Sequence, residues 1–262
     1  MMSTEPLNAF SMDFFSLKGK TALVTGGNRG LGQAFAVALA KAGANIFIAG
    51  ISDENASTRE LIELQGVEVE FMSVDIAGEG MPERIINACC QRFGTLDILV
   101  NNAGICKLNK VLRFGRDDWD PMIEVNLTAA FELSHKAAKI MIPRRSGKII
   151  NICSVFSYLG GRWSPAYSAT KHALAGLTKS YCDELGEYNI QLNGIAPGYY
   201  HTDITAITHS TPKEYKRVLE HIPANRWGEP QDLMGAVVFL ASRASDYVNG
   251  HILAVDGGYL VR

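Results

Sequence analysis

The chain has 262 residues, of which 47% are hydrophobic and 20% charged, a composition typical of a globular protein. Its formal net charge of −2 argues against a nucleic-acid or membrane-surface partner, since both attract strongly basic proteins. Met1–Lys20 lacks the basic start and apolar run of a signal peptide, and no stretch reaches the length of a membrane span. The length fits one large α/β domain, predicted to cover 1–262.

The cysteines are odd in number and lie mostly within apolar stretches, which is typical of buried, reduced thiols. They predict neither a disulfide framework nor a metal site, and they favour a cytoplasmic location. The five positions are Cys89, Cys90, Cys106, Cys153 and Cys182.

After a predicted N-terminal extension, 1–17, the chain begins with a nucleotide-binding pattern. A β-branched run at 20–25 ends in the glycine-rich segment Gly26–Gly32, an Ala-rich helix continues to about Lys41, and a second apolar strand covers Asn45–Ala49. Strand, glycine turn, helix and strand form a βαβ unit, in which glycines let the backbone approach a pyrophosphate at the helix N-terminus. The spacing is Gly-x-x-x-Gly-x-Gly.

The alternation of strands and helices continues to the end of the chain. It predicts a Rossmann-type, doubly wound parallel sheet with helices on both faces. A polar region, 199–230, interrupts it and is predicted to surround the substrate. The further strands are predicted at Val67–Val74, Leu96–Val100, 148–154, Ile190–Ile195 and Ile252–Val255, and the further helices at about Ala56–Gln65, Glu83–Phe93, Asp117–Met141, Tyr167–Tyr188 and Gln231–Ala241.

Five polar or turn-forming positions come directly after predicted strands. In a parallel sheet the carboxyl ends of the strands share one edge, where ligands bind. We therefore expect these positions to lie around a common site. They are Gly26, Asp75, Asn102, Ser154 and Pro197.

Tyr167 and Lys171 lie four residues apart on a predicted helix and thus share a face. A nearby cation favours the phenolate and lowers the pKa of a tyrosine, so Tyr167 is a candidate general acid or base. Ser154, at the end of the preceding strand, is placed to hydrogen-bond the same substrate oxygen. A tyrosine and a lysine with this spacing also occur on ordinary helix surfaces.

Together these residues resemble the short-chain dehydrogenase/reductase family across essentially the whole chain. The resemblance implies that Tyr167 exchanges the proton with the substrate oxygen, that Ser154 orients this oxygen, that Lys171 binds the nicotinamide ribose, and that Asn126 holds a water in the proton relay. The motifs that carry it are Thr25–Gly32, Asn101–Gly104, Asn126, Ser154, Tyr167-x-x-x-Lys171, and Pro197-Gly198 with Thr202.

The resemblance also implies a nicotinamide cofactor. Gly50, followed by Ile51 and Ser52, stands where NAD-preferring members place an acid, and Arg29 matches a basic position of some NADP-preferring members. Since Arg29 also occurs in members that use NAD, the sequence favours NADP only slightly over NAD. Asp75 has an alternative role as a strand-end cap, and Thr202 as a surface-loop residue. The implied cofactor residues are Gly26, Asn28, Arg29, Gly30, Leu31, Gly32, Ser52, Asp75, Ile76, Asn102, Ala103, Gly104, Tyr167, Lys171, Pro197, Gly198 and Thr202.

The segment from Ile222 to the C-terminus resembles the sugar-acid dehydrogenases of this family, which act on gluconate or 2-dehydro-3-deoxygluconate. The resemblance implies a small sugar acid or polyol as substrate. The loop after Gly104 lacks the paired arginines of the 2-dehydro-3-deoxygluconate enzymes. Candidate substrate residues are Lys107, Arg162, Trp163, Tyr200 and His201, with Lys110 and His209 nearby. For the lysines, the arginine and the histidines, the alternative is a solvated surface charge.

Two other functions remain open at this stage. The glycine turn fits 3-oxoacyl reductases equally well, although an acyl carrier would require a basic face. Some proteins of this fold are nucleotide sensors without catalysis, but here Asn126, Ser154, Tyr167 and Lys171 are all present. The resemblance also implies a homo-oligomer, either a dimer or a tetramer, formed through the helices around Asp117–Met141 and Tyr167–Tyr188.

Overall fold

The computed structural model of the protein describes residues 10–53 and 55–262, so most of the predicted extension 1–17 lies outside the described residues. One parallel sheet of seven strands forms its centre, in the order β3-β2-β1-β4-β5-β6-β7. This order confirms the predicted doubly wound sheet. The strands are β1 (Thr21–Thr25), β2 (Asn45–Gly50), β3 (Val69–Ser73), β4 (Ile98–Asn101), β5 (Gly147–Ile152), β6 (Ile190–Pro197) and β7 (Ile252–Val255).

Helices cover both faces of the sheet, as predicted. Residues of α1 and α9 share one hydrophobic core with the strands, whereas residues of α3 and α5 share a second core on the opposite face. The α-helices are α1 (Gly30–Lys41), α2 (Ala56–Glu63), α3 (Met81–Phe93), α4 (Arg116–Ile123), α5 (Ala129–Met141), α6 (Pro165–Leu185), α7 (Ala206–Ser210), α8 (Pro212–His221) and α9 (Met234–Ala241).

The central strands are buried on both sides, which explains their nearly continuous apolar sequences. Every residue of β1, β5 and β6 is buried. The small residues of α1 allow close packing of the helix on the sheet, and Phe35 and Leu39 are completely buried there. The first strands of the two halves, β1 and β4, are neighbours, so a crevice opens where the strand order reverses.

Some predicted boundaries differ from the structure for local reasons. The helix predicted at Asp117–Met141 is helical throughout, but Glu124–Thr128 forms a π-helical turn between α4 and α5. The polar region 199–230, which interrupts the alternation of strands and helices, contains α7 and α8. The last helix begins at Met234 because Pro230–Leu233 forms a 3₁₀ turn. Within residues 10–53 and 55–262, no helix is long and apolar enough to cross a membrane.

Candidate active site

The glycine-rich turn lies between β1 and α1 at the carboxyl edge of the sheet. Gly26 and Gly30 have φ values of 65° and 56°, a region that glycine enters without steric cost. A Cβ at Gly32 would lie 2.1 Å from the carbonyl oxygen of Gly26 and 2.5 Å from Nδ2 of Asn102. These close approaches bring the backbone to the start of α1, where unpaired N–H groups can bind phosphate.

Thr25 and Asn102 join the two halves of the sheet next to this turn. The Thr25 hydroxyl accepts hydrogen bonds from the backbone N–H groups of Asn102 and Ala103, both at 3.0 Å. In return, Nδ2 of Asn102 donates to the carbonyl oxygen of Thr25 at 2.8 Å. The end of β4 is thereby held against the glycine turn, which fixes the width of the crevice.

Asn28 connects the glycine turn to the segment that follows β2. Its Nδ2 donates to the carbonyl oxygens of Ser52 at 3.0 Å and Asp53 at 2.9 Å. Its Oδ1 is buried and has no hydrogen-bond partner among the described residues. The next residue, Arg29, forms an exposed ion pair with Asp203 at 3.1 Å, which spans from the glycine turn to the segment after β6.

Asp75 and Thr202 follow β3 and β6 and form local caps. Oδ1 of Asp75 accepts from the backbone N–H of Ala77 at 3.0 Å, the capping role that competes with adenine binding. Ile76 is buried beside it. The Thr202 hydroxyl lies 3.3 Å from that of Thr205 in a capping turn.

The turn and the crevice fit a dinucleotide cofactor. Where the main chain must come close to a ligand, a Cβ would collide with neighbouring atoms, as at Gly32, or approach them closely, as at Gly104, where it would lie 3.3 Å from Oδ1 of Asn126. The free end of α1 provides N–H donors for a pyrophosphate. The unpaired Oδ1 of Asn28 is a polar atom that a bound ligand can satisfy.

Tyr167 and Lys171 face each other on α6, with Nζ of Lys171 5.5 Å from the ring centroid of Tyr167. Nζ donates to the carbonyl oxygen of Ile152 at 2.6 Å, which fixes the lysine between helix and sheet. Burial lowers the pKa of Lys171 to about 8, so the side chain is mostly protonated at neutral pH. The spacing prediction of a shared face is confirmed.

The pKa of Tyr167 shifts in the direction opposite to the one expected from the sequence. Burial raises it above the ordinary range, the nearby Cys106 thiol adds to the rise, and the Ser154 hydroxyl counteracts it. The expectation of a pKa lowered by Lys171 is therefore wrong for this geometry, because desolvation outweighs the lowering by Ser154 and Lys171 is not among the groups that shift this pKa. At neutral pH Tyr167 is a neutral phenol, the form that donates a proton.

Ser154 begins the segment that follows β5, and it is buried. Its hydroxyl caps the following turn by accepting from the backbone N–H of Phe156 at 3.2 Å. The ring of Phe156 meets that of Tyr167 edge to face, with centroids 6.1 Å apart. Ser154, Phe156 and Tyr167 are thus brought together, although they come from different elements.

Asn126 lies in the π-helical turn, where its side chain points to the loop after β4. Its Oδ1 accepts from the backbone N–H of Ile105 at 2.8 Å, and its Nδ2 donates to the carbonyl oxygen of Ile105 at 2.9 Å and to the Thr170 hydroxyl at 3.3 Å. A π-turn adds one residue to a helix and re-aims a side chain, often at a functional site. Here it lets one amide connect that loop to the helix that carries Tyr167.

Comparison with known proteins identifies the family. Residues 26–260 match the family described as enoyl-(acyl carrier protein) reductase. The chain is 78% identical over 261 residues to the uncharacterized oxidoreductase YgcW of Escherichia coli, with complete coverage of both chains. It is 48% identical over 252 residues to 2-dehydro-3-deoxy-D-gluconate 5-dehydrogenase of Bacillus subtilis, which covers 95% of this chain and 98% of that protein. The chain is a short-chain dehydrogenase/reductase.

A solved member of the family has the same architecture. Gluconate 5-dehydrogenase of Burkholderia cenocepacia, in complex with NADP and tartrate, aligns with a TM-score of 0.91 at 40% identity over 95% of this chain and 98% of that one. The present chain is likewise an NAD(P)-dependent oxidoreductase. In its structure, Ser154, Tyr167 and Lys171 come together at the sheet edge that the sequence predicts.

The predicted substrate residues make different contacts with the rest of the protein, and they differ in how far they are buried. Nζ of Lys107 donates to the carbonyl oxygen of Asp117 at 2.7 Å. The Arg162 guanidinium lies 4.5 Å from the ring centroid of Trp163. Nδ1 of His201 pairs with Glu229 at 2.6 Å.

Among these residues, Trp163 and Tyr200 differ clearly in how much of their surface is exposed. Trp163 lies in the loop before α6, with 39% of its surface exposed and a φ of 64°, which is rare for a bulky residue. Tyr200 is only 4% exposed, and its hydroxyl donates to the carbonyl oxygen of Val255 at 2.9 Å. The structure therefore places Tyr200 in the core, away from a position where a substrate can contact it.

Sequence reasoning did not single out three residues near Tyr167, the candidate catalytic tyrosine. Phe156 packs against Tyr167, and Tyr199 packs against Phe156 with ring centroids 6.3 Å apart. Arg217, on α8, interacts with Tyr199. The first two had a usable signal, since each comes within two residues of a strand-end motif, Ser154 or Pro197-Gly198. Arg217 had none.

The lowered pKa of Lys171 predicts a pH-dependent stability. The pKa of an unfolded lysine is about 10.4, so between pH 8 and 10 the unfolded chain binds more protons than the folded one. The contribution of Lys171 to the free energy of unfolding then rises with pH, by at most about 1.4 kcal/mol per pH unit. Urea unfolding of wild type and Lys171→Met at pH 7, 8.5 and 10 should show any advantage of the variant shrinking as pH rises. A difference independent of pH would contradict the assignment.

Proposed function

We propose that this enzyme interconverts a secondary alcohol and a ketone of a sugar acid similar to gluconate or 2-dehydro-3-deoxygluconate. The observation that carries the proposal is the grouping of Tyr167, Ser154 and Lys171 beside the nucleotide crevice. Support for the substrate class comes from relatives. The proteins of Bacillus subtilis and Burkholderia cenocepacia are named for dehydrogenation of 2-dehydro-3-deoxy-D-gluconate and of gluconate.

In this proposal each residue has a defined task. The nicotinamide, when bound, accepts or supplies the hydride. Tyr167, which is a neutral phenol at neutral pH, donates its proton to the ketone oxygen during reduction and recovers it during oxidation. Ser154 orients that oxygen, and the charge of Lys171 stabilises the tyrosinate that remains. Asn126 connects the loop after β4 to α6 and so stabilises the geometry of the site.

A substrate panel tests this proposal. The purified enzyme is incubated with NADP⁺ or NAD⁺ and gluconate, 2-dehydro-3-deoxygluconate or the neutral polyol glucitol, and with NADPH or NADH and a 3-oxoacyl thioester. We expect the highest kcat/KM for a sugar acid. A 3-oxoacyl thioester that exceeds every sugar acid would favour the rival function, and absence of turnover with all of them would reject the substrate class.

We propose that NADP is preferred over NAD. Strand β2 ends at Gly50, and Ile51 and Ser52 follow, so no carboxylate stands at the first positions after the strand to repel a 2′-phosphate. Arg29 is 67% exposed in its ion pair with Asp203. Such exposed pairs contribute only about 0–1 kcal/mol, so a phosphate can compete for the guanidinium. The NADP bound to the Burkholderia cenocepacia enzyme agrees with this preference.

Arg29→Gln should weaken NADPH binding about tenfold or more, because a charge-assisted hydrogen bond to phosphate contributes about 1.5–3 kcal/mol. Binding of NADH should change little. Asp203→Asn is the matched control, since it breaks the same ion pair but keeps the cation, and it should leave NADPH binding unchanged or tighter. The dissociation constants follow from nucleotide fluorescence. An equal loss for NADH and NADPH in Arg29→Gln would contradict the role.

We propose that the enzyme is a homo-oligomer, a dimer or a tetramer, that assembles through α5 and α6. Supporting this, an apolar surface groove runs between the two helices, and Phe131 is 44% exposed there. An apolar patch of this kind on a soluble enzyme marks an interaction surface. The groove is lined by Leu127, Thr128, Phe131, Ala173, Gly176, Leu177 and Ser180.

Phe131→Asp should convert the oligomer into monomers, because a carboxylate in the middle of an apolar interface loses its hydration without gaining a partner. Light scattering coupled to size-exclusion chromatography measures the mass. Leu112→Asp is the control, since Leu112 is 96% exposed and lies outside this groove. The proposal fails if wild type is monomeric or if both variants keep the wild-type mass.

We further propose a cytoplasmic location and a single domain spanning the chain, with 199–230 as the substrate region. All five cysteines are free thiols, which agrees with a reducing compartment. The region 199–230 contains α7 and α8 and packs beside the segment that begins at Ser154, as Val155 and Val218 share one buried cluster. Cell fractionation tests the location. Limited proteolysis tests the single domain, because a chain made of two domains would be cut between them into two stable fragments.

A further inference from the structure

Helix α8 lies directly over the segment that carries Ser154. Val218 of α8 is completely buried, in one cluster with Val155, Ile222 and Trp227. Val155 is the neighbour of Ser154 in the chain. The helix is therefore fixed above the catalytic segment by packing, and its position is not that of a free surface helix.

A row of aromatic rings leads from Tyr167 to the underside of α8. Phe156 meets Tyr167 edge to face at 6.1 Å and Tyr199 edge to face at 6.3 Å. Tyr199 also contacts Tyr259 at 5.2 Å and Trp227 at 5.4 Å. The two phenols are close enough for Tyr199 to contribute to the raised pKa of Tyr167.

Arg217 stands at the end of this row. Its Nε donates to Oε2 of Glu214 at 2.8 Å, one turn earlier on α8, which orients the guanidinium. The guanidinium also acts on the Tyr199 phenol, whose pKa is raised chiefly by burial and lowered again by this cation. The side chain of Arg217 is 51% exposed, whereas Glu214 is 18% exposed. The guanidinium is thus paired through Nε with Glu214, while about half of the Arg217 side chain remains exposed.

The other cations predicted to bind substrate also have protein partners, as Arg217 has in Glu214. Lys107 donates to the carbonyl oxygen of Asp117, and His201 pairs with Glu229. Arg162 stacks on Trp163, with 4.5 Å between its guanidinium carbon and the ring centroid. Arg217 differs from them because it shares a face of α8 with His221, four residues later, whose ring lies 4.4 Å from that of Tyr259. Tyr259 in turn contacts Tyr199 at 5.2 Å, so this face of the helix is turned toward the row of rings that ends at Tyr167.

We propose that Arg217, with the Tyr199 hydroxyl, forms the subsite that binds the carboxylate of the substrate and so sets the enzyme's specificity for hydroxylated acids. The subsite rests on the proposed sugar-acid function. An arginine fork binds a carboxylate through two parallel hydrogen bonds, which fixes orientation as well as adding affinity. The phenol of Tyr199 adds a hydrogen bond on the side of Tyr167. The acid is then held at one end while the reacting carbon lies at the other.

The test compares Arg217→Gln with Lys216→Gln, which removes the same charge from the adjacent position of α8, where the lysine pairs with Glu220 at 3.7 Å and is 76% exposed. Tartrate, a hydroxylated carboxylate, serves as the binding probe in the presence of NADP⁺, by calorimetry. Arg217→Gln should weaken tartrate binding and raise the KM for gluconate at least tenfold each. The dissociation constant of NADP⁺ should stay near the wild-type value. Lys216→Gln should change each value less than twofold.

Several outcomes would overturn the subsite. The first is unchanged tartrate binding in Arg217→Gln. The second is an equal loss of tartrate affinity in Arg217→Gln and Lys216→Gln, which would indicate a general effect of charge. The third is a wild-type enzyme that does not bind tartrate. Failure of the proposed function gives results that can be distinguished from failure of the subsite. If wild type does not oxidise gluconate but binds tartrate in an Arg217-dependent manner, the substrate assignment fails and the subsite stands. If wild type oxidises gluconate and Arg217→Gln does so with the same KM, only the subsite fails.

Discussion

Tyr167→Phe should lower kcat by about 10²–10⁴-fold, the usual contribution of a positioned general acid or base. The change removes one hydroxyl and keeps the ring, so the edge-to-face contact with Phe156 at 6.1 Å persists and the fold is maintained. Because Tyr167 is a neutral phenol at neutral pH, it is the proton donor that a ketone oxygen requires. Nucleotide binding should remain within a few-fold of wild type.

Tyr158→Phe is a matched control for this variant. Tyr158 lies between Ser154 and α6, but its hydroxyl donates to the carbonyl oxygen of Ile252 at 3.0 Å and has no part in the proposed site. Its kcat should be close to wild type. If Tyr167→Phe kept full turnover, another group would have to supply the proton, and the sensor alternative could not then be excluded on the basis of this residue. Equal losses in both variants would point to a structural effect.

Gly32→Ala should abolish productive nucleotide binding. The added Cβ would lie 2.1 Å from the Gly26 carbonyl oxygen and 2.5 Å from Nδ2 of Asn102, so the glycine turn must move away from β4. We expect a loss of about 1–3 kcal/mol in the free energy of unfolding, the range for overpacked sites. The affinity for NADPH should fall at least tenfold, because the displaced turn no longer presents its N–H groups to the pyrophosphate.

Gly235→Ala provides the control for that variant. A Cβ at Gly235 meets no atom within 4 Å, and the residue lies in α9. Alanine should therefore be neutral or stabilising by up to about 1 kcal/mol, as expected for a helical position. Thermal unfolding and nucleotide titration of both variants separate the effects. Wild-type affinity in Gly32→Ala would show that the turn does not bind the cofactor as described.

Much of the fold follows from local sequence patterns. The apolar strands and the glycine turn before the Ala-rich α1 predict the parallel sheet, because each pattern depends on neighbouring residues. The same holds for the grouping of Gly26, Asn102 and Ser154, which follows from strand direction alone. The shared face of Tyr167 and Lys171 follows from helical spacing.

The remaining features depend on contacts between distant parts of the chain. The rise in the Tyr167 pKa comes from burial and from Cys106, neither of which helix spacing reveals. The π-turn around Asn126 has no residue pattern that marks it. Arg217 lies in a polar stretch that looks like solvated surface, and only the burial of Val218 against the catalytic segment brings it to the site.

The transfer of a labelled hydride tests the central claim most directly. The enzyme is supplied with NADPH that carries deuterium at C4 on either face, together with 5-keto-gluconate, and the product is examined by mass spectrometry and NMR. The account predicts one deuterium on the carbon that was the ketone, from one of the two labelled faces only. Oxidation of NADPH without deuterium in the product, or no consumption of the sugar acid, would contradict it.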